Sequence, residues 1–256
     1  MSVQWNNIFQ LPPEALAGNK RVPKTMLTRR AALTKREQKT LGKLRRLEHF
    51  ATATKVTTRM LPRIDDEHDI QSVIFLRCEM AGTSQAVAEV AHLVHKCFPN
   101  PTVIMQEVGD LICVSVSLTR KSRVERGATV IDRIESTGLF DERTDAWQLF
   151  LDALAFDKLP QDDLYVYLRA MVGDVVLART IDALGFYPQV NIGNQEQVVA
   201  LASRYDVMRG DVCHLYEERA GKDVTLNESA KLRMRINEAE SQRDAILNEI
   251  KELCNG

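Results

Sequence analysis

Three acids, Glu79, Glu107 and Asp110, are the carboxylates from which a metal-dependent nuclease would have to be built. Such enzymes set an acidic residue and a Glu-x-Lys on adjacent strands, so that two carboxylates hold a metal and a lysine offsets phosphate charge. Glu79 closes an apolar run that reads as a strand, but Met80 and Ala81 follow it and the lysine is missing. Glu107 and Asp110 flank Gly109 at a strand end and a turn, where acids are more often structural. His92, His95 and Cys97 have ligand chemistry, yet a closed zinc site needs four ligands and no second Cys or His doublet completes one. Both histidines fall outside the apolar stripe of their helix, which predicts that they face solvent. The chain has no GxxxxGK[ST] loop, no GxGxxG after a strand and no GxSxG elbow. The expectation is a protein without a catalytic site, a metal or a cofactor. A degenerate metal-dependent nuclease built on Glu79, Glu107 and Asp110 is the alternative.

Charge is the stronger signal. Residues 1–60 hold thirteen Lys or Arg and three acids, a net +10, whereas residues 61–256 hold 21 and 32, a net −11. A sequence pI near 6.5 hides this division. A basic block faces something acidic: nucleic acid, an anionic membrane, or the protein's own acidic part. Lys20, Arg21, Lys24, Arg29 and Arg30 form its densest run, followed by Arg45 and Arg46. Their sharper reading is contact with a DNA or RNA backbone, which is independent of sequence and sensitive to salt. Their bland reading is a solvated arm docked on the acidic half. A membrane fits less well, because the adjoining helix has little apolar face and no apolar run approaches 18 residues. Aromatic residues make up 6% of the chain, too few for a broad base-stacking surface.

The elements that must position these residues follow from periodicity. Residues 5–24 read as an extended arm anchored by Trp5, Ile8, Phe9 and Leu11 and stiffened by Pro12 and Pro13. A basic helix is predicted from about Thr34 to Phe50, with Leu41, Leu44 and Leu47 on its narrow apolar face. A strand is expected over residues 56–61, an acidic turn over 65–69 and a second strand over 71–80. Ser84 reads as the N-cap of a helix that buries Val87, Val90, Ala91, Val94 and Phe98. Strands over 102–108, 111–119 and 128–134 complete an α+β block, a small mixed sheet of about five strands with a packed helix. Trp147, Phe150, Leu151 and Leu154 mark a helix that Pro160 ends. Another spans about 162–184 and stops at Gly185.

Two heptad seams finish the chain. Val198, Leu201, Tyr205, Met208, Val212 and Leu215 form one, and Leu232, Ile236, Ala239, Arg243, Ile246, Ile250 and Leu253 the other. A short polar link between them predicts a long antiparallel coiled-coil hairpin, a common docking arm. Arg233, Glu240 and Arg243 are its candidate partner-binding residues, with Arg243 the odd charge in a seam. The organisation expected is a basic arm and helix (1–50), an α+β domain (51–140), a helical subdomain (141–192) and the hairpin (193–256). Five widely spaced cysteines with no CxxC fit free thiols in a reducing cytoplasm. The N-terminus lacks a secretory pattern, and Pro12, Pro13 and Glu14 interrupt any mitochondrial transit helix.

The ordered set of segments resembles a bacterial family catalogued as domain of unknown function 4391. The resemblance begins at Ile8-Phe9-Gln10-Leu11-Pro12 and Asn19-Lys20-Arg21-Val22-Pro23-Lys24. It continues through the block from Phe98 to Leu118 and the stretch from Trp147 to Leu184, with Leu159 and Tyr165. It ends at Thr225-Leu226-Asn227-Glu228. It implies an accessory role, because members are encoded beside helicases and DNA methyltransferases in restriction-like or antiviral loci. The expected function is therefore a non-catalytic adaptor of a DNA-targeting defence complex. Its basic block would touch nucleic acid, and its hairpin would dock a helicase or methyltransferase subunit. A purely structural interaction module is the third reading.

Overall fold

The computed structural model describes residues 3–31, 33–81, 86–125, 127–190, 193–221 and 223–255, save the side chains of Arg30 and Asn255. The expected N-cap at Ser84 lies outside them. The chain forms two compact units, residues 1–175 and 176–256.

In the first unit the apolar, β-branched runs become strands of one sheet. The chain opens with α1 (Trp5–Phe9), a 3₁₀ turn at Pro13–Ala15 and β1 (Leu16–Arg21). Two helices, α2 (Lys24–Arg30) and α3 (Lys35–Gly42), precede β2 (Leu44–Thr54) and the short α4 (Lys55–Thr58). A ribbon of β3 (Arg63–Ile64) and β4 (Asp69–Ile70) leads into β5 (Ser72–Met80). Then come α5 (Val87–Lys96), β6 (Thr102–Val108), β7 (Leu111–Lys121), β8 (Thr129–Ser136), α6 (Asp145–Ala153) and α7 (Leu164–Ala178), within which the unit boundary falls. The six-stranded order is β1-β2-β5-β6-β7-β8. Only β5 and β6 run parallel, and α5 supplies the crossover that a parallel pair requires. The α+β class is as expected; four of the five expected strands are present, and β1, from the segment read as an arm, and β2, from the segment read as a basic helix, bring the sheet to six.

Both faces of the sheet are covered. On one, Leu27, Leu41, Val90 and Val94 from α2, α3 and α5 pack on Leu76, Cys78, Ile104 and Cys113. On the other, Phe9 meets Phe75 edge-on at 5.4 Å. Near β7, Phe140 stacks on Trp147 with centroids 3.9 Å apart.

Two local expectations are corrected. Residues 44–54 are a strand, although Leu41, Leu44 and Leu47 have helical spacing. The register explains it: Leu44 pairs with Met80, Leu47 with Cys78, and a bulge lies between Leu44 and Arg46. The extra residue lets two leucines three apart point into the same core. Residues 55–58 are helical and not part of a strand, because Thr54 and Thr57 form a reciprocal capping box and Arg59 ends the turn at φ 66°. The acidic turn at 65–69 is as expected, with the Asp65 carboxylate accepting from the backbone of Glu67 and His68 at 2.9 and 2.7 Å.

In the second unit α8 (Ile181–Leu184) stops at Gly185, which takes φ 81°. The long helices α9 (Gln195–Arg219) and α10 (Leu226–Asn255) have 25 and 30 residues. Tyr216 reaches Glu240 at 3.1 Å and Glu218 reaches Arg235 at 3.8 Å, a pairing that makes the two helices antiparallel. Val212, Leu215, Leu232, Ile236 and Ala239 form their shared apolar seam. Thr225 and Glu228 cap α10 reciprocally.

Candidate nucleic-acid interface

The basic residues gather where β1 ends and β2 begins. The edge strand β1 places Lys20 opposite His49 and Arg21 opposite Glu48. The amide of Val22 donates to the Leu47 carbonyl at 2.8 Å, and Pro23 then starts α2. Lys24 Nζ donates back to the Gly42 carbonyl at 3.4 Å, and the Lys43 carbonyl accepts from Ala81 at 2.7 Å. Residues 20–24 and 42–43 thus sit beside the first half of β2. Lys20, Arg21, Lys24 and Arg29 are exposed and make no ion pair among the described residues. Lys43 joins this edge, a residue that the helical reading had spent on a helix face. Arg29 stands at the far end of α2, and the side chain of Arg30 lies outside the described ones.

Arg45 and Arg46 are different, because the sheet's own acids hold them. Arg45 Nη1 lies 2.9 Å from Glu79 Oε1, and Arg46 Nη2 lies 2.5 Å from Glu48 Oε1. The other Glu48 oxygen sits 3.2 Å from Arg77 Nη1. Arg77 in turn donates to both oxygens of Glu107 at 2.7 and 2.8 Å, and Trp5 Nε1 donates to Oε1 at 2.6 Å. Burial grades this ladder: the side chains of Glu48, Glu107 and Arg77 are 3, 11 and 19% exposed, that of Arg45 71%. Removing a partner from a buried pair costs about 3–5 kcal/mol, whereas an exposed pair contributes about 0–1 kcal/mol. The bonds from Glu107 hold the Arg77 guanidinium above its ordinary pKa, against the effect of burial.

The acids considered for a nuclease are engaged in other roles. Glu107 has both oxygens bonded by Arg77 and Trp5. Glu79 stands beside Glu107 across the parallel pair but turns to Arg45. Asp110 is in the turn, exposed, with Arg143 at 3.7 Å. Among the described residues no group of three or more His, Cys, Asp or Glu is placed to hold a metal.

The histidine expectation holds for one ring of two. His92 is exposed, but His95 is buried. It lies four and eight residues after Ala91 and Val87 and so shares their face. Its Nδ1 bonds Thr102 Oγ1, and its Nε2 bonds Ser115 Oγ at 3.0 Å. Burial lowers its pKa to about 3, so the ring is neutral. The signal that could have placed it was the polar Thr102, Ser115 and Ser117 on strands otherwise rich in Val and Ile. Among the described residues no cysteine forms a disulfide, and Cys78, Cys97 and Cys113 lie in the core. Burial pushes the Cys78 thiol well above its ordinary range.

On α10, Arg233 is exposed, Glu240 accepts from Tyr216, and Arg243 donates to Asp244 Oδ1 at 2.9 and 2.8 Å. The Arg243 side chain is half-buried, and its guanidinium is held by the neighbouring Asp244. Among the described residues no helix is long and apolar enough to cross a membrane.

A family model for a domain of unknown function, DUF4391, matches residues 9–242. The chain belongs to the DUF4391 family. The match takes in the basic edge, the whole sheet and most of the helical pair. No curated protein and no solved structure matches the chain.

Proposed function

We propose that this DUF4391 member is a non-catalytic adaptor that holds a nucleic-acid backbone on the β1–β2 edge. One observation carries the reading: Lys20, Arg21, Lys24 and Lys43 gather beside the first half of β2, and the first three are exposed without a carboxylate partner among the described residues. Cations on a rigid edge, spaced by a strand and a helix start, suit phosphates, whose contacts position a protein without reading sequence. Arg45 and Arg46 extend the edge, and Glu79 and Glu48 hold their heads in place. The α9–α10 pair, whose seams follow a coiled-coil repeat, is proposed as the docking arm for a helicase or methyltransferase subunit, with Arg233, Glu240 and Arg243 on its partner side. A role in bacterial defence or restriction, in the cytoplasm, goes with that partner.

The pairing of Arg45 and Arg46 with internal acids favours a second reading, in which part of the basic block serves the fold alone. Fluorescence anisotropy with labelled duplex and single-stranded DNA and RNA at low salt separates the two. Binding that weakens when Lys20, Arg21 and Lys24 become Gln supports the adaptor. No binding to any of these strands leaves only the structural role. Affinity purification with neighbouring gene products tests the docking arm.

A further inference from the structure

Beside the cationic edge the sheet opens into a cleft of about 280 Å³, lined by Trp5, Asn6, Gly18, Asn19, Phe50 and Arg77. Two irregularities of the backbone meet there. On β1, the register passes from Leu16↔Ala51 to Lys20↔His49, so four steps on one strand face two on the other. Gly18 and Asn19 take up the excess in the left-handed region, at φ 68° and 52°. On β2, a second bulge lies between His49 and Ala51 and re-aims Phe50. Bulges re-aim side chains and cluster next to binding sites, and a non-glycine residue held left-handed is strain that the surroundings must maintain. A side-chain carbon built on Gly18 would meet nothing within 4 Å, so the space in front of it is open.

The lining has a definite chemistry. Asn19 brings a carboxamide, a group that pairs with the donor and acceptor edge of a nucleobase, and Asn6 brings a second, whose Oδ1 already accepts from the Leu11 amide at 3.1 Å. Trp5 and Phe50 stand in its wall as largely buried rings, 2% and 8% exposed. The volume is just below the roughly 300–1,000 Å³ of pockets that bury drug-sized ligands, a size for one ring system. Asn19 is followed at once by Lys20 and Arg21, so a base in the cleft would leave its phosphate at those cations.

We propose that the cleft takes one unpaired nucleobase from a strand held on the β1–β2 edge. The proposal rests on the polyanion reading above and adds that the preferred strand is single. A low aromatic content agrees with it, since one base needs one pocket and not a stacking platform.

The test uses the full chain carrying Trp147→Phe, which leaves Trp5 as the only tryptophan. A mixed-sequence single strand and a fully abasic strand of equal length are the probes. The base-bearing strand changes the emission of Trp5 in the cleft wall and binds about tenfold more tightly than the abasic one. Asn19→Gly, which keeps the left-handed backbone and removes only the amide, narrows that gap and leaves the abasic affinity unchanged. It is measured by anisotropy on the otherwise unaltered chain, independently of Trp147→Phe. Equal affinities for the two strands, with Asn19→Gly silent, overturn the base pocket while the cationic edge stands. No binding of either strand at low salt overturns both.

Discussion

Acid should unfold the first unit partly through one histidine. The His95 ring is buried and bonded on both nitrogens, and burial lowers its pKa to about 3. In the unfolded chain it titrates at its ordinary 6.5. Below pH 6.5 the unfolded state therefore binds a proton that the folded state refuses until about pH 3. The sign follows: stability is complete above pH 6.5 and is lost as pH falls. Linkage gives about 1.4 kcal/mol per pH unit once the unfolded ring is charged, hence about 2 kcal/mol between pH 7 and pH 5. His95→Gln keeps a hydrogen-bonding side chain but does not titrate. Urea denaturation followed by tryptophan fluorescence reports this unit, because Trp5 and Trp147 both lie in it. Subtracting the variant's stability from that of the unaltered chain cancels the carboxylates, and the difference should fall by about 2 kcal/mol over that range. A difference that stays flat from pH 7 to pH 5 would refute the buried neutral ring.

Glu48→Gln strips the charge from an acid that serves both Arg46 and Arg77, and should cost about 3 kcal/mol by urea denaturation. The same change frees Arg46, so DNA binding should tighten while stability drops. A weaker complex would show that Glu48 arranges the edge more than it masks it. Arg243→Leu places an apolar group in the seam between α9 and α10 and should stabilise the helical pair by about 1 kcal/mol, read by circular dichroism. If Arg243 contacts a partner, the same variant loses that partner in affinity purification.

Much of the fold was legible because burial follows period. The stripe from Val87 to Phe98, the alternation from Ile112 to Leu118 and the seams of the last two helices each write their partner face into the spacing. The failures have one physical source, which is that bulges and bridging polar groups break period. Leu44 and Leu47 looked helical because a bulge makes two strand residues three apart share a face. The arm hid an edge strand because Gly18 and Asn19 interrupt its alternation. His95 looked solvent-facing because its partners, Thr102 and Ser115, come from later strands. For the candidate site, the cation-rich block was legible by counting charge. Its division into Lys20, Arg21 and Lys24, which are unpaired among the described residues, and Arg45 and Arg46, which are held by Glu79 and Glu48, was not. That division depends on strand register, which local sequence does not encode.

The most direct measurement is the salt dependence of duplex binding for the unaltered chain and for Lys20→Gln/Arg21→Gln/Lys24→Gln. Each phosphate contact contributes a slope of about −0.9 in log K against log salt. The triple variant should lose close to three contacts' worth of slope, with weaker binding at every salt concentration. An unchanged slope and affinity would contradict the claim that this edge holds the nucleic-acid backbone.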